Sequence, residues 1–364
     1  MSGGRAAIED LIAFSIESLP AMRLDDGIYC FERRAGDPQP HGRSLRYTLM
    51  VELGMERARA HGYGTRVDPA ELDELVLREV DSPEVESGDI GLLLWTDARR
   101  EGGRGEELVE RLERRLATQG GLAGCVGMEL GWIVTGLALQ AAAAPDGPAR
   151  ASLRRALDQL LVENRAPSAL FRHSGAGWRR RFPNFATQIY SVLALTLVAK
   201  HGLDERAEGA ARAAADRLLA LQLPDGGWPW IFDAERGTVV ERYEVYSVHQ
   251  DAMAPMALLE LAALTGERRY LDAVARGLRW IHGHNELEAD MVDKDNGLVL
   301  RSIRRRRGPD RAMLAAKTAA ARAGLPTPGR TARLTELNPT DRPYHFGWVL
   351  EAWCGREDAL AGTA

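Results

Sequence analysis

The sequence predicts an all-α fold, an (α/α)6 toroid of six helical hairpins with short β-hairpin loops on one face. Amphipathic helices alternate six times with helices that are apolar around most of their circumference. An amphipathic helix buries one stripe, whereas a helix that is apolar all round has to be buried on most sides. The alternation has a period of roughly 40 residues that lengthens along the chain, and it predicts an inner ring of buried helices within an outer ring.

The six predicted hairpins follow one another along the chain, each with its outer helix first. They pair Ala6–Ser18 with Ser44–Ala58, Pro69–Val80 with Asp89–Trp95, Glu106–Thr118 with Met128–Leu139, Ala149–Glu163 with Asn184–Ala199, Glu205–Leu221 with Val248–Leu264, and Arg268–Ile281 with Tyr344–Trp353. Apolar residues make up 45 % of the chain, which is enough for one large core. We therefore expect residues 1–364 to form a single domain.

Long insertions precede several inner helices, at Asp25–Arg43, Phe171–Pro183, Pro224–Ser247 and Asn285–Asp341. Short alternating runs within them predict β-hairpins. Because each insertion leads from an outer helix into an inner one, we expect all of them on one face, where functional sites commonly lie. Residues 285–341 are predicted to form an inserted loop or a lid, with either a flexible segment or a short surface helix over Gly308–Arg333.

Composition narrows the class of protein. The net charge of -5 is mild and predicts no nucleic-acid partner. Cys30, Cys125 and Cys354 are far apart in the sequence, which favours reduced thiols. Met1–Leu11 lacks the pattern of a signal peptide, and no apolar run is long enough to span a bilayer. We expect a cytoplasmic protein, with peripheral membrane contact left open.

No cofactor or metal is predicted. The chain has no phosphate-binding glycine loop, dinucleotide fingerprint or nucleophile elbow. The spacing of His282, His284 and Cys354 is not that of a structural zinc site.

Ionisable side chains at the starts of the inner helices define the predicted site. Burying such groups costs several kcal/mol unless they are paired. They form either a set of caps and ion pairs or a shared pocket, and their chemical diversity favours a pocket. The candidate catalytic residues are Asp89, Glu129, His249, Asp251 and His345.

Aromatic and polar residues near the same helix starts are the candidate substrate-binding residues. Aromatic faces stabilise cations, although an aromatic residue on a buried helix is more often part of the core. The set comprises Arg46, Tyr47, Trp95, Trp132, Phe185, Gln188, Trp228, Trp230, Tyr246, Gln250, Arg342, Tyr344 and Trp348.

One turn carries a specific motif, Gln222-x-x-x-Gly226-x-Trp228. Gly226 permits a positive φ, and Trp228 is able to fold back and join one hairpin to the next. The motif resembles the QW repeat of squalene–hopene cyclases and other class II terpene cyclases, and the chain length resembles their monodomain type.

A second segment is similar to the acidic motif of those cyclases. Tyr246–Ala252 matches the position of their Tyr-Pro-Asp-Val-Asp-Asp-Thr-Ala run. Gln250 replaces the proton-donating aspartate, and Asp251 retains the last aspartate.

Two other resemblances exist. Gly226–Pro229 with Gln250–Met253 also looks like the pectate lyases built on a helical toroid. Phe182–Tyr190, Tyr246–Leu258 and Arg342–Trp348 resemble uncharacterised toroid proteins of exopolysaccharide gene clusters, which imply no particular chemistry.

The cyclase resemblance implies acid-initiated cyclisation of an isoprenoid or meroterpenoid. Such a reaction needs a neutral carboxylic acid in an apolar pocket. Asp89 is the predicted proton donor because the apolar run Ile90–Trp95 follows it. Under this hypothesis, a closed and aromatic cavity is expected.

The first alternative is a carbohydrate-active enzyme, namely a lyase, epimerase or hydrolase acting on a polysaccharide or uronate. Arg46, Arg181 and Arg342 would clamp a carboxylate. Tyr47, His249 or His345 would serve as general base or acid. An open cleft with arginine, histidine and carboxylates is then expected. The second alternative is a binding toroid without catalysis, in which all the carboxylates are salt-bridged.

Overall fold

The inner helices form a closed ring, which confirms the predicted (α/α)6 toroid. The computed structural model describes residues 3–65, 67–175, 177–306, 310–325 and 335–362. The outer helices are α1 (Gly3–Ser18), α3 (Pro69–Glu79), α5 (Gly105–Thr118), α7 (Ala149–Asp158), α9 (Arg206–Leu221) and α11 (Arg268–Ile281). The inner helices are α2 (Leu45–Ala60), α4 (Ser87–Arg100), α6 (Gly127–Ala143), α8 (Phe185–Lys200), α10 (Ala254–Thr265) and α13 (Pro343–Trp353).

Each inner helix contacts the next, and α13 returns to α2, so the ring has no free edge. One hydrophobic core extends from α1 to the end of α13. It includes the fully buried side chains of six tryptophans, Trp95, Trp132, Trp228, Trp280, Trp348 and Trp353.

Side-chain caps set where the inner helices begin. The Ser44 hydroxyl accepts a hydrogen bond from the Tyr47 amide at the start of α2. Asn184 Oδ1 accepts one from the Thr187 amide at the start of α8. In α4, Asp89 belongs to a capping box and accepts a hydrogen bond from the Glu86 amide at 2.8 Å. These contacts satisfy amides that have no partner within the helix.

Glycines allow the inner helices to approach one another closely. A Cβ atom on Gly54 of α2 would lie 2.1 Å from the Gly347 carbonyl oxygen of α13. A Cβ atom on Gly136 of α6 would lie 2.3 Å from the Gly91 carbonyl oxygen of α4. The ring is therefore closed by backbone-to-backbone packing that no larger residue permits.

The turn motif at residues 222–228 joins two hairpins. Gln222 Nε2 donates to the Gly226 carbonyl oxygen at 2.8 Å and to the Ala273 carbonyl oxygen of α11 at 3.0 Å. Trp228 is buried beneath the turn. The motif thus fixes the end of α9 to α11.

Short antiparallel sheets form the loops that precede the inner helices. The strands are β1 (Glu32–Arg34), β2 (Asp37–His41), β3 (Ile231–Asp233), β4 (Thr238–Glu241), β5 (Val245–Tyr246), β6 (Val292–Asp293), β7 (Leu298–Val299), β8 (Ser302–Arg305), β9 (Thr335–Asn338) and β10 (Thr340–Asp341). Their orders are β10-β1-β2, β3-β4, β5-β8-β9 and β6-β7. The first sheet pairs Arg33 with Asp341. It therefore brings the loop before α2 beside the loop before α13.

The segment 285–341 contains β6 to β10 and a further helix, α12 (Asp310–Ala323), which contacts β4. Most of the predicted segment Gly308–Arg333 falls in this helix, while residues 307–309 and 326–334 lie outside the described residues. Among the residues that the structure describes, no helix is both long enough and apolar enough to cross a bilayer.

The glycine contacts generate a stability prediction. We expect Gly54→Ala to lower the free energy of unfolding by about 1–3 kcal/mol, because the added methyl group overpacks the contact between α2 and α13. Urea denaturation measures the change. The matched control is Gly209→Ala on α9, where nothing lies within 4 Å of the new Cβ atom. That variant is expected to gain about 1 kcal/mol of helix propensity, and an equal loss in both variants would contradict the prediction.

Candidate active site

A cavity of about 230 Å³ lies at the mouth, the end of the ring at which the inner helices begin. Side chains from α2, α6, α8 and α13 line it, together with the π-helical turn His249–Met253 before α10, Tyr246 of β5 and three loop residues. The lining residues are Arg46, Tyr47, Met50, Met128, Trp132, Asn184, Ala186, Tyr190, Trp230, Tyr246, His249, Met253, Arg301 and Tyr344. The walls are thus mainly aromatic, with two arginines and one histidine.

Arg46 joins three inner helices at one side of the mouth. Its Nε and Nη2 atoms donate to the two oxygens of Asp89 at 2.6 and 3.1 Å. Nη2 also donates to Glu129 Oε1 at 2.9 Å. The guanidinium carbon lies 5.3 Å from the centre of the Trp132 ring, within the range of a cation–π contact.

The charges of this cluster counteract the effect of burial on the pKa values of its members. Burial alone would lower the pKa of Arg46, but Asp89 and Glu129 outweigh it and raise the pKa above its ordinary value. Burial raises the pKa of Glu129 even though Arg46 acts in the opposite direction. The guanidinium therefore stays charged and holds both carboxyl groups behind the cavity wall.

His345 occupies a second buried cluster. Its Nε2 lies 2.8 Å from Asp251 Oδ1, and its Nδ1 lies 3.3 Å from Asp341 Oδ1. Burial lowers the pKa of the imidazole, but the two carboxylates outweigh it and raise the pKa to about 10. Asp341 is held in turn by the Val299 amide, which donates to its Oδ2 atom at 2.7 Å. His345 is therefore an imidazolium at neutral pH, with each nitrogen directed at a carboxylate.

His249 has the opposite environment. Its ring lies 4.6 Å from the Phe185 ring and 5.1 Å from the Tyr246 ring, measured between centroids. Among the described residues, its Nδ1 atom has no hydrogen-bond partner. Burial lowers its pKa to about 3, and the positive charges of Arg301 and His345 act in the same direction. At neutral pH the ring is an uncharged imidazole at the cavity wall.

The structure brings seven of the predicted site residues to the cavity: Arg46, Tyr47, Trp132, Trp230, Tyr246, His249 and Tyr344. The other four catalytic candidates are three carboxylates and the histidine that pairs with one of them. They lie behind the cavity wall, in the Arg46 cluster and the His345 cluster. None of Asp89, Glu129, Asp251 and His345 lines the cavity.

The remaining predicted aromatic residues pack beside or beneath the site. Phe185 stacks on Trp228 at a centroid distance of 5.2 Å and supports His249 from behind. Trp95 and Trp348 stack on each other at 5.7 Å in the fully buried core.

The predicted polar residues outside the cavity make hydrogen bonds or ion pairs. Gln188 exchanges two hydrogen bonds with the backbone of Phe171 at 2.8 and 2.7 Å. Gln250 donates to a neighbouring carbonyl oxygen at 3.0 Å. Arg342 forms an ion pair with Glu32 at 3.2 Å. These side chains organise the loops around the mouth rather than line the cavity.

Sequence reasoning missed Arg301 as a member of the site. The residue belongs to a basic run that continues at residues 304–307, which is typical of a solvated loop. The mostly apolar flanking sequence is a usable signal, because Leu298-Val299-Leu300 precedes Arg301 and Ser302-Ile303 follows it. A single charge within an apolar strand-forming stretch indicates a buried position.

Comparison with known proteins gives no match to a protein-family model or to a curated protein. Solved structures of the same architecture do match. A sugar epimerase from a ruminal bacterium is 10 % identical, with 97 % of this chain and 98 % of that chain covered and a TM-score of 0.65. Cellobiose 2-epimerase from Bacillus thermoamylovorans is 11 % identical, with 98 % and 100 % covered and a TM-score of 0.65. An unsaturated glucuronyl hydrolase from a Bacillus species is 15 % identical, with 98 % and 97 % covered and a TM-score of 0.60.

These comparisons contradict the prediction of a terpene cyclase, since the matching toroids are named as carbohydrate-active enzymes. The isoprenoid substrate and the role of Asp89 as its proton donor fall with that prediction. Asp89 is paired with Arg46 and caps α4, whereas cyclisation requires a neutral acid in an apolar pocket. The motif at residues 222–228 indicates how hairpins are joined, not which reaction is catalysed.

The His345 cluster generates a pH prediction. At neutral pH we expect His345→Gln to lower the free energy of unfolding by about 3–5 kcal/mol, because it leaves two buried carboxylates without a counter-charge. The folded pKa of about 10 lies above the ordinary 6.5. The stabilisation is therefore complete below pH 6.5, declines as the pH rises and is lost above about pH 10.

Urea denaturation of the wild type and His345→Gln at pH 6, 8 and 10 measures this dependence. The difference between the two proteins should narrow as the pH rises. His282→Gln serves as the control, because its imidazole is half exposed. A constant difference across the three pH values would show that the charge of His345 is not what stabilises the fold.

Proposed function

We propose that this protein is a carbohydrate-active isomerase, which moves a proton at the carbon next to the carbonyl group of an open-chain sugar. The observation that carries the proposal is the imidazole of His249 at the wall of the mouth cavity, whose buried Nδ1 atom has no hydrogen-bond partner among the described residues. A neutral ring with an unpartnered nitrogen is a proton acceptor that the fold has not used elsewhere.

The cavity lining suits a sugar. Trp132, Trp230 and Tyr344 offer flat faces for the C–H surfaces of a pyranose or its open chain. Arg46 and Asn184 supply polar groups around those faces. A few polar groups among aromatic walls is the usual composition of a small-molecule site.

The proposed reaction begins when a ring nitrogen of His249 takes the proton from C2 of the open-chain aldose. The electron pair of that C–H bond moves toward the carbonyl group and forms an enediolate. Arg46 stands at the mouth as a cation for the developing oxyanion, and none of its contacts with Asp89 and Glu129 uses Nη1. Rotation about the C2–C3 bond turns the other face of the enediolate toward His249. Return of the proton from the imidazolium to that face of C2 gives the epimer, so no atom is gained or lost.

Hydrolysis fits the site less well. Glycoside hydrolysis ordinarily uses two carboxyl groups that flank the scissile bond. In the part of the chain that the structure describes, Asp89, Glu129 and Asp251 are each ion-paired, and none lines the cavity. The likeness to toroids named as sugar epimerases supports the isomerase proposal.

A binding toroid without catalysis is the second candidate. Its support is that the same three carboxylates are all neutralised by Arg46 or His345. Such a protein would bind a sugar in the mouth but would not exchange any carbon-bound proton.

Deuterium exchange distinguishes these functions. Wild-type protein in deuterium oxide, mixed with a panel of reducing hexoses, hexuronates and disaccharides, is expected to replace the C2 proton of at least one sugar. His249→Asn should slow that exchange by about 100-fold or more, which is the usual contribution of a general base. Loss of the C2–H signal in the proton NMR spectrum measures the rate.

His282→Asn is the matched control, because it changes an exposed imidazole in the same way. Unchanged exchange in His249→Asn would contradict the assignment of the base. Sugar binding without exchange in the wild type would favour the binding toroid, and release of new reducing ends without exchange would favour a hydrolase.

A further inference from the structure

Arg301 is the arginine of the mouth that lacks an acidic partner. The three arginines that the sequence singled out for a carboxylate ligand are already neutralised within the protein. Arg46 pairs with Asp89, Arg181 with Asp233 and Arg342 with Glu32. Within the described ranges, Arg301 makes no ion pair, and its guanidinium interacts with Tyr246 instead.

The surroundings of Arg301 are aromatic instead of acidic. Its guanidinium carbon lies 5.0 Å from the centre of the Tyr246 ring, and Tyr47 and Tyr344 line the same cavity. Glu244 acts on Arg301 electrostatically, but it lies beyond ion-pair distance and accepts hydrogen bonds from Ser302 at 2.5 Å and Asn338 at 3.4 Å.

The backbone of Arg301 is fixed on both sides. Its amide donates to the carbonyl oxygens of Asn338 and Thr340 at 3.1 and 2.8 Å, and its carbonyl oxygen accepts from the Ser247 amide at 2.9 Å. The side chain therefore projects from a built framework between β7 and β8. A guanidinium does not lose its proton in a protein, so the fold keeps a largely buried positive charge at the cavity wall. Such a charge costs free energy until an anion pairs with it.

We infer that Arg301 binds a carboxylate carried by the sugar, so that the substrate class of the mouth is a hexuronate or a similar acid sugar. One free guanidinium matches one negative charge, and its planar fork suits a carboxylate. The other cations near the cavity are already paired within the protein. Arg46 and His345 each hold two carboxyl groups, and Arg342 holds Glu32. A phosphate dianion would therefore have only one unpaired cation to balance its two charges and would lie close to two acidic clusters, so a carboxylate suits the site better.

The inference that the hexuronate is a substrate rests on the proposed isomerase function, whereas the inference that Arg301 binds it does not. The experiment tests the two inferences separately. Isothermal titration calorimetry is performed with glucuronate, galacturonate and mannuronate, with their parent hexoses and with the hexose 6-phosphates. The proteins are the wild type, Arg301→Gln, Arg304→Gln and His249→Asn. Arg304 is the matched control because it lies three residues further along, on β8, is half exposed and pairs with Glu336.

We expect the wild type to bind at least one hexuronate roughly tenfold or more tightly than its parent hexose, which is the usual effect of a charged hydrogen bond. Arg301→Gln should abolish that preference, while Arg304→Gln and His249→Asn should keep it. The melting temperature of Arg301→Gln should stay close to that of the wild type, because no ion pair inside the protein is lost.

Equal affinity for hexuronate and hexose, no binding of any hexuronate at millimolar concentration, or an unchanged preference in Arg301→Gln would each overturn the inference. If a hexose 6-phosphate bound more tightly than every hexuronate, the anion that Arg301 recognises would be a phosphate and not a carboxylate. A lower melting temperature of Arg301→Gln would reveal a structural role instead. Hexuronate binding through Arg301 without proton exchange would remove the isomerase proposal and leave the anion site intact.

Discussion

The ion pair between Arg46 and Asp89 is the contact on which the mouth of the toroid depends. It fixes the first turn of α2 against the first turn of α4, and the same guanidinium reaches Glu129 on α6. Each of these groups has been withdrawn from water, so each requires the others. Trp132 packs against the guanidinium and forms part of the cavity wall. The shape of the cavity therefore follows from a buried charge cluster of which only Arg46 lines the cavity.

Two histidines of the same region differ in charge because of their neighbours. His345 is enclosed by Asp251 and Asp341 and remains protonated. His249 is enclosed by aromatic rings and by cations, so it remains neutral. The fold thus uses one imidazole to hold α13 and the turn before α10 together, and leaves the other uncharged at the cavity wall.

The sequence predicted the architecture far better than the chemistry. The alternation of amphipathic and apolar helices reflects burial, which is a local property of each helix, and all six hairpins followed from it. Ion pairing is a property of the assembled ring, so the sequence did not show that Asp89 is already neutralised. A similar limit applied to Arg301. Its basic run is typical of a solvated loop, but the pairing of β8 with β9 in the folded protein buries the beginning of that run. The resemblance to terpene cyclases rested on a turn that joins hairpins, and such a turn carries no information about substrate.

The glycine contacts between inner helices also bear on how such a site diversifies. Because Gly54 of α2 abuts Gly347 of α13, and Gly136 of α6 abuts Gly91 of α4, moving these helices apart to widen the mouth would break backbone-to-backbone packing. A larger or differently charged ligand cannot be accommodated by spreading the helices. Divergence of specificity must instead proceed through the hairpins that rim the opening, where insertions leave the scaffold undisturbed. A toroid that is only 10 % identical to this chain matches it along nearly its whole length.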